Sequence, residues 1–260
     1  MPCSSRSDDL PGSVSRPAVV LVHGVGVGPE SFIDTERALT ASGRRVHRVA
    51  RAGYGNGQRT SNTEHEVLSL DAQVDLIIDD IMKREEQPTV WVGVSGGATL
   101  GVVAACRRPA VIRGALLHEP LIGTRAAALH DGVQAAAARL AIGQHDPAHV
   151  ESSAADFVAG LVGPGSWTAL GPDGRASVIE RARLVGAEVP QFAGFEAPAA
   201  PDGSVPVVIT VGERSPDARH EAAERAAELL HGRVVVIAGI GHLPQIEAPD
   251  LFADLIGRLT

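Results

Sequence analysis

Six short, β-branched apolar runs recur along this chain, and most are separated by segments whose apolar residues return every three or four positions. The runs are Ala18–Val22, Val46–Ala50, Thr89–Val94, Val111–Leu117, Val205–Val211 and Arg233–Ala238. The helical segments are Pro29–Ser42, Leu68–Glu86, Gly97–Arg107, Asp217–Leu230 and Pro249–Leu259. A run that is apolar throughout, rather than at alternate positions, suits a strand covered on both faces. Strands joined through helices need right-handed crossovers, so the spacing predicts an α/β protein with a mostly parallel sheet. The 260 residues suffice for one large core of this kind carrying an insertion. With only 3% of residues aromatic, Ala and Val must supply most of the packing volume.

The alternation breaks once. Between Leu117 and Val205 lie the Ala-rich helical segments Ala126–Ile142, Ala148–Leu161 and Arg175–Val185, and Glu196–Gly203 reads as the linker back to the sheet. Ligands of open parallel sheets sit at the carboxyl ends of the strands, where such an insertion emerges, so it is expected to form a lid. The expected organisation is a disordered tail over 1–16, a core over 17–121 and 205–260, and a helical cap over 122–204. The cap's bulky residues, Phe157, Trp167, Phe192 and Phe195, suit either an apolar pocket or a small core of its own. The net charge of −8, with Lys and Arg scattered, argues against nucleic acid or anionic membrane as a partner. The tail lacks the apolar centre of a signal peptide, and no run approaches the roughly 18 apolar residues of a membrane span. A cytoplasmic protein with a small-molecule substrate is expected, its oligomeric state open and a homodimer included. Cys3 and Cys106, one in the polar tail and one in an Ala/Val-rich segment, suggest neither a disulfide framework nor a metal site.

Trp91-Val-Gly-Val-Ser-Gly-Gly-Ala-Thr99 sets Ser95 in a G-x-S-x-G pattern with a strand before it and a small-residue helix after it. A sharp strand-to-helix turn strains the central serine, and glycines beside it avoid clashes with the neighbouring strand and helix. Glycine-rich turns also serve nucleotide binding or plain packing, so the pattern needs partners to mean catalysis. A serine hydroxyl is a weak nucleophile until a base within hydrogen-bond reach activates it. Of ten histidines, His242 is best placed, just past the last strand and at the same end of the sheet as Ser95. His118 also ends a strand but is expected to pack or bond locally. His145 and His149 flank Asp146-Pro147, a poor helix and not a metal pattern. His130, His220 and His231 read as surface residues, and His47 and His65 have no evident partners.

The ordered set His23-Gly24-Val25-Gly26, Arg51-Ala-Gly-Tyr-Gly55, Gly93-Val-Ser-Gly-Gly97 and Gly241-His242-Leu-Pro resembles the α/β-hydrolase superfamily from about Pro17 to the end. The resemblance implies an α/β-hydrolase fold with six strands rather than eight, because the amino-terminal hairpin is missing. It departs from the family at the triad acid: Val211-Gly-Glu-Arg-Ser-Pro216 has Ser215 where many members carry Asp. Glu119, in Leu116-Leu-His-Glu-Pro120, is the favoured substitute, an arrangement similar to zearalenone-type lactonases; Glu213 and Asp217 are held in reserve. The resemblance also implies an oxyanion hole from the backbone N–H groups of Gly96 and Val25. His23 is expected to brace its loop, with Arg51 and Tyr54 solvated or structural. The function implied is cofactor-free and metal-free hydrolysis of an ester or lactone by Ser95, His242 and Glu119. Carbon–carbon bond hydrolysis or perhydrolysis by the same triad, and a noncatalytic ligand-binding relative, are the alternatives. Epoxide and haloalkane hydrolysis are disfavoured because they use a carboxylate nucleophile.

Overall fold

The structure is a computed structural model and describes residues 16–55, 68–122, 131–142, 146–197 and 205–259. The amino-terminal tail before Arg16, most of the linker Glu196–Gly203, and His65, His130 and His145 lie outside these residues. Six strands, β1 Val19–Val22, β2 Val46–Val49, β3 Thr89–Val94, β4 Ile112–His118, β5 Val207–Gly212 and β6 Arg233–Ile237, form one sheet. Every neighbouring pair is parallel, in the order β2-β1-β3-β4-β5-β6. The chain runs outward from β1 to β2, then returns past β1 to β3, so the winding reverses between β1 and β3. That switch point is where the loops at the strands' carboxyl ends part and leave a crevice.

The six runs read from the sequence are these strands, and the reason they are apolar throughout is visible in the packing. Val20 and Val22 of β1, Trp91 of β3 and Leu117 of β4 face helices α2 (Leu70–Met82), α3 (Gly96–Arg107) and a later helix over Asp217–Leu229. Their neighbours Val19, Leu21, Val90, Val92 and Leu116 point to the other face, against α1 (Ile33–Ala41) and the last helix, Pro249–Leu259. The edge strands β2 and β6 are less covered and correspondingly more polar or exposed.

Between β4 and β5 the described chain is helical: α4 Asp131–Ile142, α5 Pro147–Val162, α6 Ser166–Ala169, α7 Gly171–Glu180 and α8 Ala182–Ala193. Two readings of this interval are corrected. Asp146-Pro147 starts a helix instead of spoiling one, because the Asp146 carboxylate accepts from the N–H groups of Ala148 and His149 while Pro147 takes the first helical position. The stretch Arg175–Val185 is not one helix but the junction of α7 and α8, broken at Arg181, whose side chain pairs with Glu30 at 2.9 Å. Helix α8 then continues through Gly186 and Pro190, residues that look like breakers in the sequence. After β5 come α9 Asp217–Leu229, the short α10 Pro244–Glu247 and α11 Pro249–Leu259.

Candidate active site

Ser95 lies at the turn from β3 into α3 with φ 54° and ψ −120°, a backbone conformation that costs a side-chain-bearing residue energy. The flanking glycines make it possible. A Cβ on Gly97 would lie 2.1 Å from the Val22 carbonyl oxygen, and one on Gly93 would lie 2.3 Å from the Gly97 oxygen. The turn is tied to β4 by the Ser95 N–H, which donates to the His118 carbonyl at 2.8 Å. Among the described residues with positive φ, only Ser95, Glu119 and His231 are not glycine, and the first two are the sequence's candidate nucleophile and acid.

Glu119 closes β4 with φ 50°, its N–H donating to the Thr210 carbonyl of β5. Its carboxylate, 2% exposed, is surrounded by donors. Oε2 accepts from His242 Nδ1 at 2.7 Å and from Arg219 Nη1 at 2.8 Å, and Oε1 accepts from Ser215 Oγ at 2.5 Å and the Gly212 N–H at 3.0 Å. Burial alone would raise the Glu119 pKa, but hydrogen bonds from His118 and His242 and their charges outweigh it, and the group is held well below the usual carboxylate range. Ser215 thus serves as a hydroxyl donor to the Glu119 carboxylate. Arg219 Nη1 also lies 2.5 Å from His242 Nδ1. Glu119 can only accept and Arg219 can only donate, so the contact with Glu119 fits an imidazole protonated at Nδ1, with Arg219 Nη1 also 3.4 Å from Nε2. Burial first, then the Arg219 charge, push the His242 pKa down to about 4, against the upward pull of Glu119.

The reserves do not meet the histidine. Glu213 holds the Gly239 N–H at 2.7 Å, and Asp217 opens α9 in its first turn. His118 does more than bond locally: it contacts Thr210 Oγ1 at 3.0 Å and the Gly241 carbonyl at 3.3 Å, bracing the loop that carries His242. Among the described residues no hydrogen bond joins the Ser95 hydroxyl to His242; catalytic hydrogen bonds often tighten only with substrate bound. His47, without evident partner in the sequence, bonds Glu85 at 2.7 Å.

The two backbone donors named from the sequence are neighbours: a Cβ built on Gly96 would lie 3.1 Å from Val25 Cγ2. Among the described residues neither the Val25 nor the Gly96 N–H has an acceptor. His23 braces this loop as expected, with Nδ1 on the Gly24 carbonyl and Nε2 accepting from the Arg51 N–H; burial, then the Arg51 charge, hold its pKa well below the ordinary value. Arg51 is not solvated. It is 1% exposed and bonded to Gln73, the Gly24 carbonyl and Glu188.

Beside Ser95 is a cavity of about 20 Å³, lined by Val25, Leu121, Val133, Phe157, Val189 and Phe192 among others. Phe157 and Phe192 therefore border the site, whereas Trp167 and Phe195 pack against the core. A hollow of about 370 Å³ at the other end of the sheet, near Met82 and Ile112, holds none of Ser95, Glu119 and His242. The sequence reading missed Arg219 and Glu188. Each had a signal: Arg219 shares a helical face with Ala222, Ala223, Ala226 and Ala227, and Glu188 one with Val185, Val189 and Phe192, so each is a charge on an apolar stripe.

No curated protein sequence matches the chain. Among solved structures, a thermophilic esterase from Thermogutta terrifontis matches with a TM-score of 0.71 at 19% identity, over 94% of this chain and 89% of its own. The enol-lactonase from Burkholderia xenovorans LB400 gives 0.69 at 18% identity, over 94% and 91%. E-2-(acetamidomethylene)succinate hydrolase gives 0.64 at 21% identity, over 94% and 91%. At such identities the likeness is one of fold. The sequence model described as the alpha/beta hydrolase family matches residues 19–255, from the first strand into the last helix, and the chain belongs to that family.

Proposed function

We propose that the protein is a serine hydrolase that cleaves an ester or lactone of a small apolar substrate through an acyl-enzyme on Ser95. The observation that carries this reading is the 2.7 Å contact between His242 Nδ1 and Glu119, at the sheet end where Ser95 is strained outward. Nδ1–H is committed to the carboxylate, so Nε2 takes the Ser95 proton as Oγ attacks the carbonyl carbon. The carbonyl oxygen becomes an oxyanion that accepts from the Val25 and Gly96 N–H groups. Collapse breaks the carbon–oxygen bond, and the imidazolium returns the proton to the departing alkoxide. Water then attacks the acyl-enzyme by the same sequence, with His242 as base, and restores Ser95. For a lactone the alcohol stays tethered, and one hydroxy acid leaves.

The helices between β4 and β5 act as a cap whose apolar residues meet the acyl group, since Val133, Phe157, Val189 and Phe192 border the cavity. An acid at the end of β4, with Ser215 in the usual acid's place, is what the zearalenone-type lactonases suggest. The test compares wild type, Glu119→Gln and Asp217→Asn on an aryl ester, a lactone and a diketone. Ester and lactone are expected to be hydrolysed and the diketone left intact. Glu119→Gln should lose about 10³- to 10⁴-fold in kcat and Asp217→Asn less than about twofold. Loss of turnover in Asp217→Asn alone would overturn the acid assignment.

A further inference from the structure

The loop that carries Val25 is held from both sides, and both holds end on one residue of the cap. On one side the Gly26 N–H donates to the Tyr54 hydroxyl at 3.2 Å, and that hydroxyl donates to Glu188 Oε2 at 2.7 Å. On the other, Arg51 Nη1 donates to the Gly24 carbonyl at 3.1 Å, and Arg51 Nη2 donates to Glu188 Oε1 at 2.5 Å. Glu188 lies on α8, more than a hundred residues away in sequence from the groups it binds. The residues it joins, Arg51, Tyr54 and Glu188, are each 2% exposed or less. The Arg51 guanidinium also stacks near the rings of Tyr54 and Phe192, 5.2 and 5.3 Å from their centroids.

Stability alone is a weak reason for this arrangement. Burying an ion pair costs about as much desolvation as its attraction returns, and well-packed apolar residues often do as well or better. What an apolar cluster lacks is direction. A carboxylate with one oxygen on Tyr54 and the other on Arg51 fixes the angle at which the Gly24–Gly26 turn presents the Val25 N–H. Oxyanion stabilisation depends on that angle, because a donor is effective only when it already points at the position the oxyanion will occupy.

We propose that Glu188 is a positioning residue for the oxyanion hole, tying the cap helix α8 to the Val25 loop so that the hole is complete only when α8 is seated. The proposal rests on the serine-hydrolase reading of the site. It predicts a defect in transition-state binding more than in ground-state binding. Tyr54→Phe removes the hydroxyl between Gly26 and Glu188 while keeping the ring and the charges, and Glu188→Gln disturbs both arms.

The test measures kcat and KM on a short-chain aryl ester, normalised to the fraction of protein labelled at Ser95 by a fluorophosphonate at end point, together with affinity for an alkylboronic acid. Tyr54→Phe is expected to lower kcat per labelled site by about tenfold and Glu188→Gln by up to about a hundredfold, with KM changed less than about threefold and boronate affinity falling in parallel. The double variant should be no worse than Glu188→Gln, since both act on one path. Unchanged kcat per labelled site in both variants, or multiplying effects in the double variant, would overturn the proposal. If Glu188→Gln does not fold, Tyr54→Phe decides alone by the same criterion. A wild-type protein that neither labels at Ser95 nor hydrolyses the ester would instead overturn the reading on which the proposal rests.

Discussion

His242 sits between a carboxylate that favours its charged form and a guanidinium that opposes it, with burial on the side of the guanidinium. In the mechanism we propose, a pKa of about 4 would make it a weaker base toward Ser95 and its conjugate acid a stronger donor to the leaving alkoxide. On that proposal the imidazole must be unprotonated to accept the Ser95 proton, so activity should rise with pH through that value. The acid limb of kcat/KM on a neutral ester is therefore expected near 4 instead of the ordinary 6.5. Arg219→Leu should move it upward by about one unit, as a pH–rate profile would record. The same depression makes stability fall as the pH drops from 6.5 toward 4, because the unfolded imidazole takes a proton that the folded one refuses. The sequence pointed to Ser95, Glu119 and His242 because each stands at a strand's carboxyl end beside glycine or proline. Arg219 was hidden because α9 is otherwise strongly charged, and only its register with four buried alanines marks it. The donor role of Ser215 depends on where Glu119 points, which no local pattern encodes.

Elements buried on both faces were the most legible part of the chain, since β1, β3 and β5 are buried along their whole length and mostly apolar. The cap was less so. Its helices bury their apolar faces largely on one another, and no local sequence signal marks the break at Arg181, where the side chain pairs with Glu30. In the elbow, the glycines matter through space, not flexibility alone. Gly97→Ala would put a methyl group 2.1 Å from a backbone oxygen, and the resulting shift of β1 against α3 should cost about 2 kcal/mol or more. That corresponds to a fall in Tm of about 5 °C or more, with turnover reduced further, measured by thermal melting beside initial rates. Gly132→Ala, in the exposed face of α4 where an added Cβ meets nothing, should leave both unchanged or raise Tm slightly.

At the scale of the molecule, a switch-point crevice roofed by helices leaves a cavity of about 20 Å³ beside Ser95, room for a water and not for an acyl chain. For the ester or lactone substrate we propose, the roof would have to yield around Phe157 and Phe192. Phe192→Ala should enlarge the acyl side, raising kcat/KM for longer esters relative to acetate by about tenfold or more in a chain-length series. Among the described residues no helix is long and apolar enough to cross a membrane. We propose Ser95 as the nucleophile, activated by His242 under the hold of Glu119. Mass analysis after reaction with a fluorophosphonate tests it most directly. One adduct is expected, on the peptide containing Ser95, absent in Ser95→Ala and formed at least about a hundredfold more slowly in His242→Ala. An unmodified Ser95 in folded protein, or ester hydrolysis undiminished in Ser95→Ala, would contradict it.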